Sequence, residues 1–274
     1  MTEVLRELSG AWNFRDVADG APAIRPGRLF RSGELSRLDD GGRATLNELG
    51  ITDVADLRAN QEVAKRGPGL VPDGVEIHRL PLPDLGDQQS RDDEAPHEHA
   101  FRRLFEDGAS QSDESVNEAA VRHMIDEYRQ FPIRNGAQRA VQQVFSMLAC
   151  GRSVLTHCFA GKDRTGFVIA TVLEVLDVDR DTIVADYLRS NAAVPQLRDH
   201  IYEMIQQRSD TELTPEVVTF TKARLADGVL GVRPEYLDAA RHTIDQEFGS
   251  LDAYLRDAGV TEAVVDRLRA ELLA

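Results

Sequence analysis

One cysteine, Cys158, stands five residues before Arg164 in the stretch Thr156-His157-Cys158-Phe159-Ala160-Gly161-Lys162-Asp163-Arg164-Thr165-Gly166. The apolar, β-branched run Ser153-Val154-Leu155-Thr156 leads into it and a long apolar segment follows. This pattern predicts strand, tight loop, helix. Five residues wrapped between Cys158 and Arg164 can turn their N–H groups inward on one tetrahedral oxyanion, and the following helix adds its positive end. The loop residues Phe159, Ala160, Gly161, Lys162, Asp163 and Arg164 would form that cradle, with the Arg164 fork gripping two phosphate oxygens. The same field favours the thiolate of Cys158, which lies beneath the bound phosphate and can attack phosphorus in line. His157 is expected to order the loop by hydrogen bonding rather than transfer a proton. Thr165 can hydrogen-bond the sulfur as it departs, or is simply a helix N-terminal residue. The loop supplies its own positive field, so no metal and no other cofactor is called for. The bland alternative is a core cysteine followed by an unrelated arginine. His157, Gly161, Thr165 and Gly166 at fixed offsets weigh against it.

Cys-x5-Arg-[Ser/Thr] resembles the signature of the cysteine-dependent protein-tyrosine phosphatase superfamily. An oxygen leaving group needs a general acid, most urgently when it is an alkoxide. Two aspartates are candidates. Asp84 follows Leu80-Pro81-Leu82-Pro83 on a loop that can fold over the cradle, as the separate acid loop of that superfamily does. Asp163 stands inside the loop, where myotubularin-type lipid phosphatases also carry an aspartate. Lys162 completes Gly-Lys-x-Arg-Thr-Gly, similar to phosphoinositide phosphatases in which the lysine meets an extra phosphate. The chain departs from some of these at Phe159, where they have a second lysine, so only one extra cation is on hand. A rim lysine without a ligand is the plain alternative for Lys162. Phe159 either stacks on a substrate ring or packs inward.

The elements that must position these residues alternate. Strands are expected at 27–33, 51–58 and 75–80 and a helix at 39–49 stopped by Gly50, which favours an α/β fold with a mostly parallel central sheet flanked by helices. Trp12 and Phe14 read as core. From 84 to 115 Asp, Glu, Gln and Ser dominate, so an exposed acidic loop is expected. Helices follow at 114–131 and 136–150, broken at Phe131-Pro132, and 165–176 is apolar nearly all round, as in a buried helix. Tyr128, Phe131 and Met124 could line a pocket, but their helical spacing fits core equally. Beyond Asp179 the pattern is helical throughout, at 181–190, 195–208, 214–227, 234–248, 251–257 and 261–273. That is more helix than a minimal catalytic core buries. The surplus suggests a helical lid at 195–232, hinged at Gly228 and Gly231, with Ile201, Met204, Ile205, Val217, Phe220 and Leu225 on its underside. No linker or repeat interrupts the chain, so 1–274 reads as a single domain.

The 274 residues carry 42% hydrophobic and 29% charged side chains, a net charge of -15 and a pI near 4.9. Such acidity argues against nucleic acid as a partner and against general attraction to anionic lipid. Two cysteines make neither a disulfide framework nor a metal site. Cys150 reads as a buried helix-end residue, with a reversible disulfide to Cys158 as the sharper alternative. Arg58 is expected to brace a carboxylate at the sheet edge. The N-terminus lacks signal-peptide character and no run has membrane-spanning length, so synthesis in the cytoplasm, no stable membrane insertion and a monomer are expected.

Asn13-Phe14-Arg15-Asp16, Arg25-Pro26-Gly27-Arg28-Leu29-Phe30-Arg31-Ser32, Asp56-Leu57-Arg58, the loop itself and Asp186-Tyr187-Leu188-Arg189-Ser190-Asn191 extend the resemblance over the whole length. Together they resemble the family of mycobacterial secreted tyrosine phosphatases, closely enough for an orthologous relation. The resemblance implies a dual-specificity-phosphatase-like fold and hydrolysis of phosphotyrosine, with breadth toward phosphoserine/threonine and phosphoinositides. It also implies a two-helix lid and delivery into an infected host cell. Phosphorylated proteins or phosphoinositides are the expected substrates. A main role on phosphoinositides, or a phosphate-binding module without turnover, are the alternatives. A sulfurtransferase needs no Arg164-Thr165 pair, and an arsenate reductase needs more redox cysteines.

Overall fold

The computed structural model describes residues 8–82, 113–208 and 227–274. Asp84, the expected acidic loop up to residue 112 and the stretch 209–226 of the expected lid lie outside these residues. In chain order the elements are β1 (Arg15–Asp16), β2 (Leu29–Ser32), α1 (Asp40–Glu48), β3 (Asp53–Asp56), α2 (Asn60–Arg66), β4 (Glu76–Arg79), α3 (Asp113–Gln130) and α4 (Asn135–Ala149). Then come β5 (Val154–His157), α5 (Asp163–Val175), α6 (Arg180–Leu188), α7 (Val194–Arg208), α8 (Asp227–Leu230), α9 (Pro234–Phe248), α10 (Leu251–Asp257) and α11 (Glu262–Leu272).

The strands form one sheet in the order β1-β2-β5-β3-β4, parallel except for β1 against β2. Alternate strand residues point to opposite faces. Phe30, Leu155 and Val54 lie in register across β2, β5 and β3 and fill a core with Phe14, Leu38 and Leu46 on one face. Their neighbours Leu29, Val154 and Ala55 face the larger core built with α3, α4, α5 and α9, which holds Met124, Tyr128 and Phe131. Both faces are covered, so the central strands are apolar on both sides. Helix starts follow their caps: Asp39 accepts from Gly42 N, Asp179 from Thr182 N and Ser250 from Ala253 N, while Pro234 opens α9. α5 is buried along almost its whole length, as its sequence requires.

Cys150 differs from expectation. It ends α4 but is exposed, because it continues the solvent-facing row of Gln142 and Ser146 at four-residue spacing, while Met147, Leu148 and Ala149 take the core side. Arg58 does brace carboxylates, Asp56 and Glu34, but in the interior behind β3 rather than at the sheet edge. No helix of the described residues is long and apolar enough to cross a membrane.

Candidate active site

β5 is the central strand, and the loop 158–162 leaves its C-terminal end between the ends of β2 and β3. Ligands of open parallel sheets bind at this edge. Glu34 N donates to Phe159 O at 2.9 Å from one side and Leu57 N to His157 O at 2.8 Å from the other. Gly161 sits at φ +68 with its Cα against Ser32, and a Cβ there would lie 2.1 Å from the Ser32 carbonyl oxygen. Only glycine lets the loop turn this tightly against the strand end.

The pieces shared with the resembling family converge beneath this loop. Asn13, itself at φ 55, donates to the carbonyls of Ala160 at 3.2 Å and Gly161 at 2.9 Å, and its Oδ1 accepts from Arg15. Arg31 also donates to Gly161 O. Arg15 and Arg31 share the single carboxylate of Asp186 and both reach Ser190 Oγ. Two buried guanidinium groups on one carboxylate leave a surplus positive charge under the cradle. Burial and the neighbouring Arg31 push Arg15 down to about 10, and the two arginines, against the cost of burial, hold Asp186 below the usual carboxylate range.

Arg164 is 3% exposed and held by Glu62 of α2: Nη1 donates to Oε2 at 2.5 Å and Nη2 to Oε1 at 2.9 Å, with Nη1 also reaching Leu57 O. Among the described residues its Nε has no hydrogen-bond partner. The bidentate pair, with Cys158 and Asp163 nearby, overcomes desolvation and raises Arg164 above its ordinary value. Glu62 was not legible as a site residue. It stands 102 residues from Arg164 and looks like a helix-capping glutamate, which it also is, accepting Ala59 N at 2.7 Å.

His157 is fully buried, with Nδ1 3.2 Å from Cys158 O and Nε2 3.7 Å from Asp56. Burial pushes its pKa down despite Asp56, so the ring is kept neutral, and it braces the loop from behind. Thr165 is buried, and among the described residues its hydroxyl has no hydrogen-bond partner.

Lys162 is neither at the rim nor exposed. Its Nζ lies 2.7 Å from Val229 O and 3.4 Å from Gly231 O, and pairs with Asp163 at 2.9 Å. Asp163 accepts from Lys162 and from Tyr128 at 3.0 Å. Phe159 packs inward, under Leu197 and Ile201 of α7 and Leu230 of α8, with the Arg66 guanidinium 3.9 Å over its ring. Trp12 joins this patch only half-buried, against Phe159 and His200, and His200 lies 3.5 Å from the buried Glu34. Cys158 is thereby left 2% exposed. The structure thus gathers every candidate residue of the 157–165 stretch, and Asp84 lies outside the described residues.

A mostly parallel sheet that carries a cysteine and an arginine at the two ends of one tight loop, with the arginine held by a carboxylate, is the arrangement expected of a phosphate-handling site. Residues 6–274 match the tyrosine phosphatase family, and the chain belongs to it. It is 69% identical, over 98% of this chain and 99% of the relative, to the triple specificity protein phosphatase PtpB of Mycobacterium tuberculosis. A tyrosine-protein phosphatase of Nostoc commune is 27% identical over 94% of this chain and 78% of its own length. The chain is a protein phosphatase.

Proposed function

We propose that this phosphatase hydrolyses phosphotyrosine together with phosphoserine/threonine and phosphoinositide monoesters, through a cysteinyl-phosphate. The observation that carries this reading is the buried loop between Cys158 and Arg164, with its Gly161 carbonyl held by Arg31 and its Arg164 locked by Glu62. The relative at 69% identity that is described as triple specific supports the breadth. Sγ of Cys158 attacks phosphorus as the bond to the leaving oxygen breaks, with Arg164 and the loop amides holding the three equatorial oxygens. The leaving oxygen takes a proton from Asp84. Water then attacks the cysteinyl-phosphate with Asp84 as base, and Thr165 donates to the departing sulfur. Asp84 is preferred to Asp163 because both oxygens of Asp163 already accept hydrogen bonds from Tyr128 and Lys162.

α7 with the 227–232 segment acts as the lid, which must lift for substrate to reach a cysteine this covered. A polyphosphorylated substrate would claim Lys162 once that segment lifts. By the same family resemblance, the place of action is an infected host cell; the protein's appearance in the culture fluid of intact producing cells tests this.

The expected result for Cys158→Ser is loss of para-nitrophenyl phosphate turnover with phosphate binding retained; turnover in that variant would overturn the covalent route. Asp84→Asn should slow alkyl phosphates far more than activated aryl phosphates and flatten the basic limb of the pH-rate profile. If Asp163→Asn alone does so, the acid is Asp163. Parallel rates on phosphotyrosine peptide and phosphoinositide vesicles test the breadth.

A further inference from the structure

An aspartate inside a phosphate cradle is a physical problem, because a carboxylate beside a thiolate and a phosphate dianion repels both. Asp163 is the first residue of α5, 3% exposed, and its charge bears on Arg164 alongside that of Cys158. Its surroundings answer the problem. Lys162 Nζ reaches both of its oxygens, at 3.0 and 2.9 Å, and Tyr128 OH donates to Oδ1 at 3.0 Å. Behind Tyr128 the hydroxyl of Tyr187 lies 2.5 Å away. A phenol carries one proton, and that of Tyr128 is committed to Asp163, so Tyr187 must be the donor to Tyr128. Burial, with the Asp163 charge, pushes both phenols well above the usual tyrosine range, which keeps both protons in place.

The chain runs through fixed parts. Tyr128 belongs to α3 and Tyr187 to α6, next to Asp186, which holds Arg15 and Arg31 under the same loop. Gly166 of the cysteine motif completes the fit, since a Cβ there would meet the Tyr187 ring at 2.7 Å. One reason for that glycine is therefore this tyrosine.

We propose that Tyr128 and Tyr187 are positioning residues for the hydrolysis: a one-directional hydrogen-bond chain, Tyr187 to Tyr128 to Asp163, fixes the Asp163 carboxylate and screens its charge from the cradle. They touch no substrate and act through Asp163. The inference rests on the assignment of Cys158 and its loop as the catalytic centre, which the Cys158→Ser experiment tests separately. Tyr128→Phe keeps the ring and removes the donor. It should lower kcat/KM for para-nitrophenyl phosphate about tenfold, mainly through KM, and move the acid limb of the kcat/KM profile to higher pH, as expected for an anion left underscreened beside a dianion site. Tyr187→Phe, which leaves Tyr128 donating, should lower it about threefold at most.

Two comparisons separate this role from mere packing. Tyr128→Phe combined with Tyr187→Phe should match Tyr128→Phe alone, because Tyr187 acts only through Tyr128. Tyr128→Phe should lose its effect in an Asp163→Asn background, where the charge to be screened is gone. Additive losses in both combinations, or an unshifted acid limb in Tyr128→Phe, would overturn the proposal. Unfolding midpoints measured alongside exclude variants that fail to fold.

Discussion

Arg164 needs its partner as much as its charge. Glu62 engages both terminal nitrogens, so the fork is aimed before substrate arrives, and among the described residues Nε has no partner. Glu62→Gln keeps one acceptor but loses the charge, and should lower kcat/KM by about ten- to a hundredfold with the fold intact. Glu62→Ala leaves a buried guanidinium unpaired and should cost about 3–5 kcal/mol of stability, measured by urea unfolding. Unchanged kinetics in Glu62→Gln would mean that the loop alone aims Arg164. Cys158 and Arg164 were legible because their spacing is dictated by the size of one phosphate. Glu62 and Tyr128 were not, because contacts across 102 and 35 residues leave no local pattern, and each residue already has a local explanation, a cap and a core position.

At the scale of elements, the long helices and the central strands declared themselves through periods of 3.6 and 2, and α9 and α10 fall where that pattern put them. α2 did not, since Asn60–Arg66 is short and carries no apolar stripe, yet it supplies Glu62. The 227–232 segment also carries more than its composition suggested. Gly228 N donates to Asn117, Asn191 exchanges two hydrogen bonds with Val232, Tyr236 donates to Gly228 O, and Lys162 gathers the carbonyls of Val229 and Gly231. Its glycines serve close approach here, for a Cβ on Gly228 would meet Val121 at 2.8 Å. The cover over the cradle therefore rests on α7 contacts on one side and on Lys162 on the other. Leu197→Ala with Ile201→Ala removes apolar contacts with Phe159 and Ala160 worth a few kcal/mol at most, roughly 2 per side chain. Peroxide should then inactivate Cys158 about tenfold faster than in the parent, a rate read from residual turnover. An equal rate would make α7 fixed scaffold.

For the molecule as a whole, the net charge of -15 hides a set of buried cations around the cradle, Arg15, Arg31, Arg58, Arg164 and Lys162, matched by the buried carboxylates of Glu34, Asp56, Glu62, Asp163 and Asp186. Carboxylates hold them there, and this makes the fold sensitive to acid in two windows. His157, buried neutral with its pKa below 6.5, resists protonation when folded, so its contribution is complete above pH 6.5 and declines as the pH falls from there toward its lower folded value. Asp56, Asp186 and Glu34 are depressed despite burial: Asp56, beside His157, Arg58 and Arg79, is lowered from 3.8 to about 2. Their stabilisation is present above the unfolded carboxylate range and lost as the pH drops through the folded values, Asp56 alone accounting for about 2 kcal/mol between pH 4 and 2. Urea unfolding across this range should therefore give a free energy that is level above pH 6.5, slopes gently below it, and falls steeply below pH 4. His157→Asn should remove the gentle slope and, by taking away one of the neighbours that depress Asp56, shallow the steep one without abolishing it, since Arg58 and Arg79 remain. A free energy unchanged down to pH 3 would show that these buried pairs contribute nothing to holding the cradle's foundation together.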